Sequence, residues 1–180
     1  MTLKKQLERL QGMNRGELEE LIQALAWNQE YGCYTRAGFE EIIWPAIANK
    51  ARWVIYFDID EMRLLNAVHT HAGVNALIKK SLAMRESDYV AGQRYSGDEF
   101  IVVITDDDPG RRASNPIELC ARLAEFLREN GLSATFAGAP VLSDDLAENV
   151  EPAVKLVEIA KAENKRGVIR IVPGDPRIEK

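Results

Sequence analysis

Arg94-Tyr95-Ser96-Gly97-Asp98-Glu99-Phe100 sets two adjacent carboxylates on a Ser-Gly turn between two apolar runs, Tyr89 to Tyr95 and Glu99 to Ile104. Runs of that length on either side of a Gly-containing turn read as the arms of a β-hairpin, so the turn lifts two acids out of a sheet. Upstream, Trp53-Val54-Ile55-Tyr56-Phe57 is a near-continuous apolar run, which predicts a central strand, and it closes on Asp58-Ile59-Asp60. A second strand edge therefore delivers carboxylates. Hard oxygen ligands brought together in this way suit Mg²⁺ and the phosphates of a nucleotide.

The rest of the chain can be placed around these two strands. Leu3, Leu7 and Leu10 repeat at helical spacing. After Gly12, Asn14-x-x-Glu17 reads as a capping box for a helix with Leu18, Leu21, Ile22 and Leu25 on one stripe. Residues 1–27 are thus expected to be a helical segment that either docks on the domain or pairs with another copy. Thr35 can cap a helix running to about Lys50, bent by Pro45. Met62 to about Met84 is helical and broken near His71 to Gly73, and Ser114 or Asn115 with Pro116 opens a helix that Gly131 stops. A strand around Leu132 to Val141, a helix from Asn149 to about Asn164 and a strand from Gly167 to Val172 follow. The order β-α-β-β-α-β predicts an α+β fold, a palm-like split-βαβ (ferredoxin-like) core with an antiparallel-rich sheet under covering helices. The expected divisions are residues 1–27, a domain from 28 to 174 and a tail from 175 to 180.

Composition narrows the function. The chain has 180 residues, 46% of them apolar, enough for one full core, and a net charge of −5 without a long basic run. Long DNA or RNA is therefore not an expected partner, whereas a single nucleotide needs only a few local cations. The N-terminus is charged where a signal peptide would be apolar, and no run approaches ~20 apolar residues, so a cytoplasmic protein without a membrane span is expected. Cys33 and Cys120 are too few and too far apart for a disulfide framework or a zinc site.

The acidic stretches, with Gly32, Arg36, Phe39, Asn66, His71, Ala160-Lys161 and Lys165 at matching spacing, resemble the GGDEF-domain nucleotide cyclases, the diguanylate cyclase family. Ser96 stands where the first glycine of the signature is usual. The resemblance implies that Asp58, the carbonyl of Ile59 and Asp98 hold Mg²⁺ (or Mn²⁺), and that Glu99 activates or orients a ribose 3′-hydroxyl. It further implies a triphosphate loop at Met62 and Arg63, phosphate cations at Lys161 and Lys165, and a base contact from Asn66. Read as i, i+4 on the last helix, Lys161 and Lys165 can reach one phosphate chain. Asn75 falls where the family places an aspartate partner for guanine, so weaker selection of GTP over ATP is expected. Arg85-x-x-Asp88 matches the family's product-binding inhibitory site, with Gly92-Gln93 as an apparent insertion between it and the signature turn.

What the resemblance implies is an enzyme that condenses two nucleoside triphosphates, GTP expected, into a cyclic dinucleotide, cyclic di-GMP expected, with release of pyrophosphate from a homodimer. Two alternatives stay open. One is a degenerate domain that senses GTP or a cyclic dinucleotide without turnover. The other is a cyclase of relaxed base choice that makes a mixed or adenine-containing product.

Overall fold

The computed structural model describes residues 11–83, 90–94, 97–106 and 115–174. Leu3, Leu7 and Leu10, the expected inhibitory pair Arg85 and Asp88, Tyr95, Ser96 and the tail from 175 to 180 lie outside them. The helix α1 (Arg15–Ala26) runs directly into β1 (Trp27–Asn28), and β2 (Cys33–Tyr34) follows. α2 (Arg36–Gly38), a π-helical turn (Phe39–Ile43) and α3 (Trp44–Ile47) join end to end. Then come β3 (Ala51–Ile59), α4 (Met62–Ala83), β4 (Val90–Gln93), β5 (Glu99–Thr105), α5 (Pro116–Glu129), β6 (Ala134–Pro140), α6 (Leu146–Ala162) and β7 (Ile169–Ile171).

Local signals account for most of these boundaries. Asn14 N donates to Glu17 Oε2 at 2.8 Å while Glu17 N donates to Asn14 Oδ1 at 3.1 Å, the reciprocal bonds of a capping box. Thr35 Oγ1 accepts from Gly38 N and Asn115 Oδ1 from Ile117 N, so both expected caps form. α4 breaks at Thr70, whose φ of 64° is non-helical. Pro45 sits in the first turn of α3, where its missing N–H costs little, and the widened turn lies just before it.

The strands form one sheet in the order β1-β2-β4-β5-β3-β6-β7. β3 is central and antiparallel to both β5 and β6, as its apolar run requires. Alternation along β3 divides the core. Ile55, Phe57 and Ile59 face α4 and α5, where Val74, Ile78, Leu119 and Leu123 are buried. Phe57 stacks on Phe100 at 5.2 Å and on Phe136 at 5.0 Å, each pair contributing about 0.5–1.5 kcal/mol beyond its buried area. Val54 and Tyr56 face the other way, onto Trp44, Val150, Ala153 and Val157. Asp58 continues that second face, and α6 packs against it. Phe39 crosses β4 so closely that a Cβ on Gly92 would lie 2.4 Å from its ring, so that position requires glycine.

Among the described residues, no helix is long and apolar enough to cross a membrane.

Candidate active site

At the end of β3 the antiparallel register makes Asp58 the direct partner of Glu99 on β5, with Phe57 opposite Phe100 one step before. Partners in register share a face, so both carboxylates lie on the α6 side. Asp98 is held at the same edge because Ile59 N donates to its carbonyl at 2.9 Å. Gly97, one residue earlier, lies against Tyr31: a Cβ there would stand 2.2 Å from the Tyr31 hydroxyl and would displace it. The acidic turn therefore rests on Tyr31, whose ring meets Phe100 edge-on at 5.5 Å.

The acids perturb one another. Burial raises the Asp58 carboxyl above its usual range, Lys161 pulls it back, and Asp98 and Asp60 push it up again. Burial and the Asp58 charge likewise raise Glu99, and a hydrogen bond from Tyr56 opposes them. Tyr56 is 4% exposed, and its hydroxyl is held protonated by burial and by the Glu99 and Asp58 charges. Lys161 reaches from α6 to place Nζ 2.5 Å from Asp58 Oδ1.

Asp58, Ile59, Glu61, Met62, Arg63, Leu64, Asp98, Lys161 and Arg166 line one open cleft of about 330 Å³, at the small end for a ligand site. Its floor turns from β3 into α4 through Glu61 at φ 57°, so the first turn of α4 lies on the cleft wall; the Glu61 carbonyl accepts from Leu64 N and Leu65 N, and the Met62 and Arg63 N–H groups precede the first helical acceptor. Met62 and Arg63, the expected triphosphate loop, line this cleft.

Lys165 is not. α6 ends at Ala162 and Asn164 takes φ 54°, which breaks the helical spacing, and Lys165 pairs instead with Glu163 at 3.1 Å. Arg166, which the sequence reading missed, lines the cleft in its place and lies 3.9 Å from Glu61. Asn66 and Asn75 lie further along α4, outside the cleft lining, and Asn66 Oδ1 is buried without a hydrogen-bond partner. Asp60 belongs to the scaffold: it is 4% exposed and accepts from Ser133 Oγ at 2.8 Å, Thr135 Oγ1 at 2.9 Å and Gly167 N at 3.1 Å. Those bonds tie the end of β3 to β6 and to the loop after α6.

Among the described residues, no three His, Cys, Asp or Glu side chains converge closely enough to hold a metal between them. Of the three carboxylates lining the cleft, Glu61 faces Arg166 at 3.9 Å, and the donors offered to a metal are Asp58 and Asp98 with the backbone of Ile59 between them. That set fits Mg²⁺, which usually takes one or two carboxylates and completes its shell with water and substrate phosphates.

No family model matches the chain, and no curated protein matches its sequence. Solved structures do resemble it. The diguanylate cyclase SiaD from Pseudomonas aeruginosa, solved in complex with its activator SiaC, is 16% identical with a TM-score of 0.66, over 94% of this chain and 70% of that one. A microbial GGDEF domain, described in its interaction with cyclic di-GMP, is 15% identical with a TM-score of 0.65, over 82% of this chain and 99% of that one. The GGDEF domain of YfiN from P. aeruginosa is 20% identical with a TM-score of 0.60, over 81% of this chain and 99% of that one. The fold is that of GGDEF domains.

Proposed function

We propose that the chain is a Mg²⁺-dependent nucleotidyltransferase of the diguanylate cyclase type, joining two GTP molecules into cyclic di-GMP. The observation that carries this reading is the cleft itself. It combines three carboxylates, Asp58, Glu61 and Asp98, the N-terminus of α4 and three cations, Arg63, Lys161 and Arg166, at the edge where Glu99 stands opposite Asp58. Phosphoryl transfer needs such parts and little covalent chemistry from the protein.

In this reading Asp58, the Ile59 carbonyl and Asp98 hold Mg²⁺, which when bound neutralises charge on the triphosphate. The first-turn N–H groups at Met62 and Arg63, together with Lys161 and Arg166, bind the phosphates. Glu99 orients the ribose 3′-hydroxyl of the nucleotide and accepts its proton; its raised carboxyl makes it a stronger base than an exposed glutamate. The 3′-oxygen bonds to the α-phosphorus of the nucleotide on a facing subunit, the bond from that phosphorus to the bridging oxygen breaks, and pyrophosphate leaves. The same step in the other direction closes the ring. One subunit holds one nucleotide, so the reaction needs a homodimer.

The Lys161–Asp58 ion pair favours a second reading, in which the ammonium keeps the metal position and the domain binds nucleotide without turnover. Pyrophosphate release from GTP, followed with Mg²⁺ and with chelator over a protein dilution series, separates the two. The cyclase reading expects metal-dependent release whose specific rate rises with protein concentration. Nucleotide binding with no release at any concentration would establish the sensor instead.

A further inference from the structure

At the edge that carries the acids, β4, β5 and β3 stand side by side in the sheet. Arg94 follows β4, and its N donates to the Glu99 carbonyl at 2.9 Å, which continues the register pairing Gln93 with Phe100. Arg94, Glu99 and Asp58 are therefore neighbours in one row on one face, and Lys161 reaches Asp58 from the far end. Direct cross-strand partners have Cβ atoms about 4.5–5.5 Å apart, well within the reach of an arginine. A guanidinium set beside a carboxylate binds it as a fork, and the lone pairs it takes up are lost to any other donor.

The Arg94 guanidinium turns the other way. Its Nη1 donates to Glu40 Oε1 on the π-helical turn at 2.7 Å, and the Arg94 side chain is only 9% exposed. Arg36 Nε, one turn earlier, donates to the two oxygens of the same carboxylate at 3.0 and 3.1 Å. Phe39, the residue before Glu40, lies against Gly92, two residues before Arg94, so helical turn and strand are packed together where the ion pair forms. The charges acting on Glu99 are instead those of Asp58, Asp98 and Lys161.

We infer that Glu40 is a positioning residue that acts through Arg94, engaging the guanidinium so that the Glu99 carboxylate stays open to the ribose hydroxyl. This rests on the proposed function, which gives Glu99 the task of orienting that hydroxyl and accepting its proton. Without the Glu40 charge, Arg94 is a nearly buried cation whose direct cross-strand neighbour is Glu99, and a buried charge without compensation is costly enough to redirect the side chain. The fork would then close on Glu99. The row thus treats its two cations differently: Lys161 is allowed onto Asp58, whereas Arg94 is held off Glu99 by an acid from another element.

The test is steady-state turnover of GTP with Mg²⁺ by the full chain, by Glu40→Gln and by Glu40→Gln combined with Arg94→Gln. GTP affinity is measured separately by calorimetry, with Ca²⁺ as the metal to suppress turnover. Glu40→Gln keeps the shape and releases the cation, so kcat should fall roughly ten- to hundredfold, part of what a general base contributes, while KM and GTP affinity match the wild type. Removing Arg94 as well should restore most of the lost kcat. A purely structural clamp gives the opposite result, because the second substitution only removes a further contact. The double variant decides the matter even where the single one fails to fold, since its two neutral side chains leave neither half of the Glu40–Arg94 pair as a lone charge. Unchanged kcat in Glu40→Gln, or a double variant that stays at the slow rate, overturns the role of Glu40 and leaves the proposed function standing. A wild type that binds GTP but releases no pyrophosphate takes the task away from Glu99 and overturns both.

Discussion

Lys161 on α6 sets its ammonium 2.5 Å from Asp58 at the end of β3, so the carboxylate best placed for a metal is already paired with a cation. Removing that cation leaves a mostly buried charge without compensation, a costly state. Lys161→Ala should therefore lower Tm in chelator, and excess Mg²⁺ should recover more stability than it adds to the wild type. Thermal melts of both proteins with and without Mg²⁺ check this; equal Mg²⁺ shifts would separate Lys161 from the metal site.

Asp58 and Glu99 are direct cross-strand partners, and like charges in that position destabilise by up to ~1 kcal/mol. Glu99→Gln keeps the shape and an oxygen able to accept from Tyr56 while removing one charge. It should raise Tm at pH 7 by about 2–4 °C and abolish turnover, the compromise expected of a strained active site. A fall in Tm would show that Glu99 serves the fold.

Asp60 predicts the opposite. It accepts three hydrogen bonds at 4% exposure, so Asp60→Ala leaves the Ser133 and Thr135 hydroxyls without their acceptor and the Gly167 N–H with only Thr135 Oγ1 at 3.2 Å. The cost should be about 2–3 kcal/mol, whereas Asp98→Ala should abolish activity with Tm nearly unchanged. Denaturant titrations of the two variants distinguish a scaffold acid from a site acid at the same edge of two adjacent strands.

Burial pushes the thiols of Cys33 and Cys120 up from 9.0 to about 12. At pH 8 the thiolate fraction of each is then about one part in ten thousand, and iodoacetamide should modify the native protein at least ~100-fold more slowly than the unfolded one. Because the folded values are raised, the associated stability is fully present below pH 9 and is lost as pH rises from about 9 through 12. Equal alkylation rates in native and unfolded protein would contradict the burial.

The central strands and the acidic turn were legible because each announces itself locally. A continuous apolar run marks β3, and a Ser-Gly turn between apolar arms marks the hairpin. β1 and β2 were not legible, since two-residue strands have no period and are held by what they pack against. The loss of Lys165 has a definite cause. Its i, i+4 spacing from Lys161 reads as one helix face, but Asn164 adopts a left-handed conformation that turns the chain and brings Arg166 to the cleft. Tyr56, a strand residue by its pattern, acquires its role only through the register that sets it beside Glu99. The Asp58 and Asp98 convergence was foreseen; the different duty of Asp60, two residues further along, depends on hydroxyls 73 and 75 positions away.

The central claim is chemical, and product identity tests it most directly. Purified protein is incubated with Mg²⁺ and each of the four ribonucleoside triphosphates in turn, and the products are identified by mass. The account predicts cyclic di-GMP and pyrophosphate from GTP, with neither formed by Asp98→Ala or in chelator. No cyclic dinucleotide from any triphosphate, at protein concentrations high enough for two subunits to meet, would contradict it.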